Sequence, residues 1–401
     1  MQKCEAPLAG IRVLDIATFV AAPFAAAALG EFGAEVIKIE QPGVGDSLRR
    51  LGTYSDAGDT YWWLSDARNK KCITLDFHKP AGVDLFKRLV AQSDVVVENF
   101  RPGTLEKWGI GYEDLKAVNE GLIMLRVSGY GQTGPKKHEP GFARVAHAFS
   151  GLTYLVGTPD TPPLAPGSNT LADFLSGTYG AYGILLALRV RDKSGKGQVV
   201  DIGLYEPMFR YLDEMAPVYQ KTGYVKERVG TGGGHAVPHN HYPTGDGKWV
   251  AIACTNDKMF ARFAQVMGRP ELAGEDMYGL QDKRRAAQQE VEVLVNDWTK
   301  SQTQAELLEK CTAGAVPSGP INSIADIFAD PQFAARENLL TVEDERVGPL
   351  TVANVVPRLS ATPGQVRHLG RALGADNAQV LAELLEIGEA ELAELKKEGV
   401  V

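Results

Sequence analysis

Cysteine is scarce in this sequence, and positive charge is not in excess. The 401 residues include four cysteines, none in a C-x-x-C pair: Cys4, Cys72, Cys254 and Cys311. This spacing argues against structural zinc and against a disulfide framework, so we expect a protein of the reducing cytoplasm. Lys and Arg number 42 against 50 Asp and Glu, which gives a net charge of −8. A nucleic-acid-binding protein usually carries a basic stripe, so this balance argues against that class.

Long apolar segments are absent as well. No run of 18 apolar residues occurs, so we predict no transmembrane helix and no membrane partner. The first ten residues lack an apolar core, so we expect no signal peptide. Apolar residues make up 44% of the chain and charged residues 23%, as in ordinary globular proteins. At about 150 residues per domain, the length predicts two domains.

Two common motifs are missing, and a third is absent from the turn where dinucleotide-binding folds carry it. The turn after the first apolar run, TFVAAPF (18–24), has no G-x-G-x-x-G, and GVGDSL (43–48) has two of the three glycines but follows the second run. Neither a G-x-x-x-x-G-K-[ST] P-loop nor the G-x-S-x-G turn of α/β-hydrolases is present. These absences argue against a dinucleotide enzyme, a P-loop nucleotidase and a serine hydrolase of that fold.

The first 130 residues alternate between buried strands and helices. Five runs have the composition of strands: IRVLDIA (11–17), AEVIKIE (34–40), ITLDF (73–77), DVVVENF (94–100) and LIMLRVSGYG (122–131). Two intervening runs are typical of helices: PFAAAALGEFG (23–33) and PAGVDLFKRLVAQ (80–92). Such β-α-β succession predicts a parallel sheet with right-handed crossovers, hence a doubly wound α/β layer.

The remaining chain is less regular. Residues 132–169 are rich in Gly, Pro and Thr and predict active-site loops. A helix is predicted at 171–193, and 198–206 fits either a strand or the start of a helix. Further predicted elements are a strand at 249–255, helices near 257–268 and 286–311, short strands after 320, and one amphipathic helix at 379–397.

Asp173 is the candidate nucleophile, with a structural alternative. It stands at the start of the apolar helix, in LADFLSGTYG. A carboxylate at that position commonly caps or charges a helix N-terminus. It could also act as a nucleophile beside backbone N–H donors and glycine-rich loops.

A glycine- and histidine-rich segment follows at 230–243. Gly232, Gly233 and Gly234 form either a mobile lid or a plain linker between domains. His235, His239 and His241 are close in sequence, but Pro238 makes a shared helix face improbable. They are therefore a polar active-site loop, a set of structural hydrogen-bonding residues or, less readily, a metal site.

Taken together, the motifs resemble the family III CoA-transferases (the CaiB/BaiF family), the group of formyl-CoA transferase and carnitine CoA-transferase. The similarity runs from Pro7 to about Gly370 in one register. It rests on nine segments: PLAGIRVLDIA, LGEFGAEVIKIEQPGVGD, NKKCITLDF, DVVVENFRPGTLEKWGIGYEDL, LRVSGYGQTGP, SGLTYLVG, LADFLSGTYGAYGILLAL, GKGQVVDIGLYE and VPSGPINSIADIFADPQ.

The resemblance implies an architecture. Family members have a large Rossmann-like domain built from both chain ends and a small α+β domain, in ring-shaped subunits that interlock as a dimer. The implied boundaries are 1–220 with 320–401 for the large domain and 225–318 for the small one, with the glycine-rich loop 230–243 at its start.

The resemblance also implies a mechanism and a binding site. The family's nucleophilic Asp corresponds to Asp173, which carries CoA as an aspartyl-CoA thioester, with no metal or permanently bound cofactor. The family's mobile loop corresponds to Gly232–Gly234. Eight positions match family CoA contacts or basic positions near them: Val20, Ala21, Arg49, Leu75, Asn99, Phe100, Arg101 and Lys107.

Departures from the family pattern narrow the range of reactions that we expect. Val20 and Gln41 replace a Gln and an Arg of formyl-CoA transferase, which argues against a formyl and oxalate substrate pair. The related racemases use a His in a G-H-D motif, where this chain has Gly141-Phe142-Ala143. Racemisation needs two proton-transfer groups, so it is disfavoured.

The pattern is most similar to the branch that moves CoA from succinyl-CoA to citramalate, malate, mesaconate or similar acids. Four residues are candidates for binding the acceptor acid: Arg144, His147, His239 and His241. Arg144 could instead pair with a nearby acidic residue. Three other readings stay open: CoA transfer between the two carboxyls of one diacid, an acyl-CoA isomerase, and a non-catalytic CoA-binding subunit. A homodimer is expected, although some family members combine two different chains.

Overall fold

The computed structural model describes residues 5–168 and 170–401, so Cys4 lies outside the described residues. The chain divides into two compact units. The described part of unit 1 lies within Met1–Thr153, Ala165–Gln220 and Phe333–Val401. Unit 2 comprises Tyr154–Leu164 and Lys221–Gln332.

Unit 1 is built on a six-stranded parallel sheet with the order β3-β2-β1-β4-β5-β6. Its strands are β1 (Arg12–Asp15), β2 (Glu35–Glu40), β3 (Lys70–Thr74), β4 (Val95–Glu98), β5 (Ile123–Ser128) and β6 (Val199–Gly203). This is the strand order of doubly wound nucleotide-binding folds, so the predicted Rossmann-like α/β class is confirmed. The order reverses between β1 and β4, and such a switch point opens a crevice at the carboxyl ends of the strands.

Helices cover both faces of this sheet. Up to residue 222 they are α1 (Ala21–Glu31), α2 (Tyr61–Asp66), α3 (Pro80–Val90), α4 (Thr104–Lys107), α5 (Tyr112–Lys116), α6 (Ala143–Phe149), α7 (Leu152–Leu155), α8 (Leu171–Ser194), α9 (Tyr205–Arg210) and α10 (Met215–Thr222). A 3-10 turn spans Ser47–Arg50. One core cluster joins α1 and α8 to the sheet, and a second lies on the other face with α3.

Close packing joins α8 to α1 and β5. A Cβ atom on Gly177 would lie 2.5 Å from the carbonyl oxygen of Ala21, and one on Gly180 would lie 2.7 Å from Leu125 Cδ2. The missing side chains therefore let α8 lie directly on its neighbours. Gly180 also faces Ala25, so α1 and α8 run in the same direction along this contact.

The C-terminal segment completes unit 1. It contributes the hairpin of β10 (Leu339–Asp344) and β11 (Gly348–Ala353), and the helices α17 (Asn377–Leu385) and α18 (Glu389–Lys397). Helix α16 (Pro331–Ala335) spans the boundary, since unit 2 ends at Gln332. Asp376 accepts a hydrogen bond from the Cys72 N–H (2.7 Å), and Asn377 accepts one from the Thr74 N–H (2.8 Å). These bonds fasten the end of the chain to β3.

Unit 2 is a small α+β body. Its antiparallel sheet consists of β7 (His239–Pro243), β8 (Trp249–Ala253) and β9 (Ser318–Pro320). Its helices are α11 (Asp257–Val266), α12 (Gln281–Ala286), α13 (Gln288–Lys300), α14 (Gln304–Ala313) and α15 (Ile324–Ala329), with a 3-10 turn at Pro270–Ala273. Phe260, Phe263, Cys254 and Cys311 are buried in its core, and both cysteines are free thiols.

Several elements differ from the sequence predictions. Residues 143–149 form α6 instead of a loop, and 239–243 form a strand within the glycine-rich segment. The tail at 379–397 is two helices, because Glu386 adopts a left-handed conformation (φ 60°) after α17. Strand β3 begins three residues before the predicted start, since Lys70 is buried by an ion pair that hydropathy does not reveal.

The 24-residue helix α8 is long and apolar enough to cross a membrane by length and composition, which the absence of an 18-residue apolar run did not predict. In the structure its Gly177 and Gly180 face is packed in the core of unit 1. One face of α8 therefore belongs to the core, whereas Tyr182, Leu185 and Leu186 are exposed.

The tight contact between α8 and α1 gives a stability prediction. Gly177→Ala places a methyl group against a backbone oxygen that cannot move aside, and we expect the free energy of unfolding to fall by about 1–3 kcal/mol. Gly319→Ala is the control, because a Cβ there meets nothing within 4 Å. Chemical denaturation of both variants measures the difference. Equal stability of the two variants would contradict the packing account.

Candidate active site

A cavity of unit 1 opens at the switch point of the sheet. It has a volume of about 370 Å³ and is lined by residues 18–21, 99–102, 127–129 and 139–144, with Leu51, Thr170, Asp173 and Leu204. The first three segments follow or end strands β1, β4 and β5. The cavity therefore lies where doubly wound folds bind ligands.

Asp173 reaches this cavity from the first turn of α8. It precedes Gly177 by four residues and Gly180 by seven, so the three share one helix face. Because α1 and α8 run in the same direction, one turn before Gly177 lies level with the turn that precedes α1. The Asp173 side chain is half-buried, and burial raises the pKa of its carboxyl group to about 7.

The turn before α1 is held rigidly by side chains. Asn99 accepts a hydrogen bond from the Thr18 N–H (2.9 Å) and donates one to the Thr18 carbonyl (2.6 Å). Asp46 accepts from the Phe19 N–H (2.9 Å), and Phe19 has a left-handed backbone (φ 61°). A non-glycine residue in that region needs such external support. The turn therefore presents fixed backbone to the cavity.

Beneath the turn lies a buried group of charges. Lys38 donates to the Ala17 carbonyl and pairs with Asp46 (2.9 Å), and Lys70 pairs with Asp15 (2.8 Å). All four charged side chains are nearly inaccessible to solvent. Burial acts to lower the pKa of Lys38, but Asp15 and Asp46 outweigh it and raise that pKa. Removing one partner would leave an uncompensated buried charge, so this network fixes the turn.

A second cavity of about 210 Å³ lies beside the first. It is lined by residues 16–18, 38–41, 44–47 and 75–78, with Phe100 and Trp108. Thr18 and Phe100 line both cavities, so the two cavities are adjacent. The Phe100 and Trp108 rings meet edge to face with centroids 5.2 Å apart. Phe100 and Trp108 thus form an aromatic wall of the second cavity, and Phe100 also borders the cavity that Asp173 lines.

The segment before α6 closes over the Asp173 cavity. A Cβ on Gly129 would lie 2.8 Å from Gly141 Cα, so only glycine allows this approach. The contact brings Phe142 to Phe19, edge to face with centroids 6.0 Å apart. Arg144 and Glu139 line the same cavity. This segment thus contributes a guanidinium, a carboxylate and an aromatic ring to the lining of the cavity.

The structure brings most predicted CoA contacts together. Val20, Ala21, Asn99, Phe100 and Arg101 line the Asp173 cavity. Leu75 lines the second cavity. Lys107 ends α4 on an exposed surface and lines neither cavity.

Arg49 is placed differently from the sequence prediction. It is 5% exposed and donates to both carboxylate oxygens of Glu40 (2.8 and 2.7 Å) and to Asp59 (3.0 Å). Its guanidinium also lies 3.7 Å from the centroid of the Trp63 ring. An arginine committed to carboxylates and an aromatic face is a core ion pair, so Arg49 is not positioned to bind CoA.

The four acceptor candidates belong to two different units. Arg144 lines the Asp173 cavity, whereas His147 is 2% exposed and absent from its lining. His239 and His241 belong to β7 of unit 2. Gly232, Gly233 and Gly234 precede that strand, and a Cβ on Gly233 would lie 3.6 Å from the His239 ring. The glycine loop therefore packs along β7 within its own unit.

Sequence reasoning missed part of the site. Thr18, Phe19 and Ser128 line the cavity, and Trp108 lines its neighbour. Thr18 and Phe19 precede Val20 in the same turn, and this adjacency could have identified them. Phe142 was noted only as the replacement for a racemase histidine, because its pairing with Phe19 has no signal in sequence.

Comparisons with known proteins identify the family of this chain. The profile of CoA-transferase family III matches residues 8–377. The chain is 52% identical to the succinyl-CoA–L-malate CoA-transferase alpha subunit of Chloroflexus aurantiacus, over 99% of this chain and 93% of that one. It is 44% identical to the succinyl-CoA–D-citramalate CoA-transferase of C. aurantiacus, over 100% and 99%.

A solved structure agrees as well. A CaiB/BaiF family protein from Brucella suis superimposes with a TM-score of 0.84 at 33% identity, covering 95% of this chain and 100% of that one. Sequence, fold and comparisons therefore lead to one assignment. The chain belongs to CoA-transferase family III.

Proposed function

We propose that this CoA-transferase moves CoA from succinyl-CoA to a C4–C5 dicarboxylic acid such as malate or citramalate, with Asp173 as the covalent carrier. The observation that carries the proposal is the Asp173 carboxylate in a cavity adjacent to a second, aromatic-walled one. Two relatives named for succinyl-CoA transfer to malate and to citramalate support the choice of substrates.

The first half of the reaction loads CoA onto the enzyme. An Asp173 carboxylate oxygen attacks the thioester carbonyl carbon, the carbon–sulfur bond breaks, and CoA leaves as its thiolate. The thiolate then attacks the Asp173 carbonyl carbon of the mixed anhydride. Succinate leaves, and an aspartyl-CoA thioester remains.

The second half repeats these steps in reverse order with the acceptor. The acceptor carboxylate attacks the aspartyl thioester and releases the CoA thiolate. The thiolate attacks the acceptor carbonyl of the new anhydride, which restores the Asp173 carboxylate. One negative charge is conserved in every step, so no proton transfer, metal or redox group is needed. A carboxylate nucleophile suits this chemistry because each intermediate resembles the substrates.

The two cavities suit the shape of an acyl-CoA. In this proposal the thioester lies beside Asp173, and the chain continues past Thr18 and Phe100 into the second cavity, where Leu75 and the aromatic wall receive the nucleotide end. The N-terminus of α1, at Val20 and Ala21, supplies backbone N–H groups, and Arg101 supplies a cation at the rim.

Arg144 is the residue that we propose to bind the second carboxylate of each diacid. It lines the cavity that holds Asp173, and its guanidinium suits bidentate recognition of a carboxylate. The glycine loop Gly232–Gly234 is proposed as a lid.

A homodimer is proposed as the working state. Large apolar side chains are exposed on α8, α9 and α10, where a second copy would cover them: Tyr182, Leu185, Leu186, Val190, Phe209 and Tyr219. We retain the cytoplasm as the proposed location, because three buried thiols are free.

A panel of acids tests the proposed reaction. With succinyl-CoA and single carboxylic acids, mass spectrometry of the CoA products should identify a C4–C5 diacid as the preferred acceptor. Asp173→Asn should lower the turnover by at least about 10⁴-fold, because the amide is not a nucleophile. Asp192→Asn, on the exposed end of the same helix, should leave it unchanged. Full turnover in Asp173→Asn would refute the role of Asp173.

The raised pKa of Asp173 gives a pH prediction. Only the ionised carboxylate attacks, so kcat/KM for succinyl-CoA should rise with pH and level off above the pKa of about 7. Steady-state rates from about pH 5 to about pH 9 measure it. A flat profile, or an apparent pKa near the usual value of an aspartate, would contradict the buried-nucleophile account.

Arg144→Ala tests acceptor recognition. Loss of a carboxylate-binding guanidinium should raise KM for dicarboxylic acceptors by about 10- to 100-fold. KM for monocarboxylic acids of the same length should change little, and this serves as the internal control. A similar rise in KM for dicarboxylic and monocarboxylic acids would show that Arg144 does not bind the distal carboxylate.

A further inference from the structure

The helix that carries Asp173 begins without a cap of its own. Thr170 is the N-cap residue of α8, and its side chain makes no capping hydrogen bond. The N–H groups of a first helical turn have no intrahelical acceptor, so an external one is needed. It comes from α6, where His147 Nε2 accepts a hydrogen bond from the Ala172 N–H at 3.0 Å.

His147 is suited to accept this bond. Its side chain is buried, and burial, followed by the charge of Arg144, lowers the pKa of the imidazole. The neutral ring then carries its proton on Nδ1 and a lone pair on Nε2. A helix N-terminus favours an acceptor and disfavours a cation, so the helix itself stabilises this form.

The hydrogen bond from the Ala172 N–H to His147 links the two helices, α8 and α6, that contribute Asp173 and Arg144 to the cavity. Ala172 is adjacent to Asp173 in the first turn of α8, and α6 begins at residues 143 and 144, which line the Asp173 cavity. A shift of this first turn would move the nucleophile relative to Arg144. Resting on the function proposed above, we propose that His147 is a positioning residue that aims Asp173 by capping α8 from α6.

The geometry separates this role from acceptor binding. His147 does not line the cavity, and its Nε2 atom is already engaged by the backbone. The ring acts on substrate only through the placement of Asp173. Loss of the acceptor should therefore change the rate of attack and leave the binding of succinyl-CoA nearly unchanged.

Two variants separate the acceptor atom from the ring. His147→Phe keeps an aromatic ring but removes the acceptor, and we expect kcat for succinyl-CoA:diacid transfer to fall by about 10- to 100-fold, with KM for succinyl-CoA within about 3-fold. His147→Gln offers an amide oxygen in a similar place and should recover most of kcat. If His147→Phe does not fold, His147→Asn takes its place. Its shorter side chain keeps the amide oxygen away from the Ala172 N–H, so we expect the same loss of kcat.

A matched control removes a different hydrogen bond on α8. Thr178 Oγ donates to the Phe174 carbonyl at 2.8 Å on an exposed position of the helix, and Thr178→Ala should leave kcat unchanged. Amide hydrogen exchange over the first turn of α8 should be faster in His147→Phe and near wild type in His147→Gln.

The outcomes are distinguishable. Faster exchange with an unchanged kcat in His147→Phe would reduce His147 to a structural cap and overturn the proposal. An equal loss in His147→Phe and His147→Gln would also overturn it, because the acceptor atom would not be the cause. If the wild-type protein transfers no CoA to any diacid, the proposed function itself fails.

Discussion

The close approach of α8 to α1 is the contact on which the site depends. A Cβ on Gly177 would lie 2.5 Å from a backbone oxygen of α1, so the two helices touch without a side chain between them. Because the helices run in the same direction, the turn of α8 before Gly177 lies level with the turn that precedes α1. Asp173 is thereby placed over Val20 and Ala21 at the switch point of the sheet, where the strand order leaves a crevice. A backbone contact sets this position, and the contact tolerates little shift.

The buried carboxylates of unit 1 have two different roles: some stabilise the fold, and Asp173 is proposed to react with substrate. The carboxylates of Asp15 and Asp46 are buried but paired with lysines, and they hold the turn before α1. Asp173 differs, since burial alone accounts for the rise of its pKa to about 7. An ion-paired carboxylate is stabilised as an anion and is a poorer nucleophile, whereas a desolvated and unpaired one is more reactive. In this unit the buried lysines Lys38 and Lys70 therefore pair with structural carboxylates and not with the nucleophile Asp173.

Much of the fold and part of the site could be predicted from sequence. Alternating apolar runs predicted the parallel sheet, and the nine family segments pointed to residues that line the two cavities, Asp173 among them, because both signals are local in the chain. Contacts between distant residues could not be predicted in this way. Arg49 follows a glycine-rich turn like a phosphate ligand, but Glu40 and Asp59 bind it. From its sequence context, His147 is a candidate for binding the acceptor acid. In the structure it is buried and bonded to the N-terminus of α8.

The central claim is that the Asp173 carboxylate carries the CoA group. It is tested most directly by incubating the protein with succinyl-CoA alone, reducing the mixture with borohydride or treating it with hydroxylamine, and analysing the digested protein by peptide mass spectrometry. The account predicts that the peptide with Asp173 is modified at that residue, as the alcohol or the hydroxamate, and that omission of succinyl-CoA abolishes the modification. An unmodified Asp173 peptide under conditions in which the same sample transfers CoA to a diacid would contradict it.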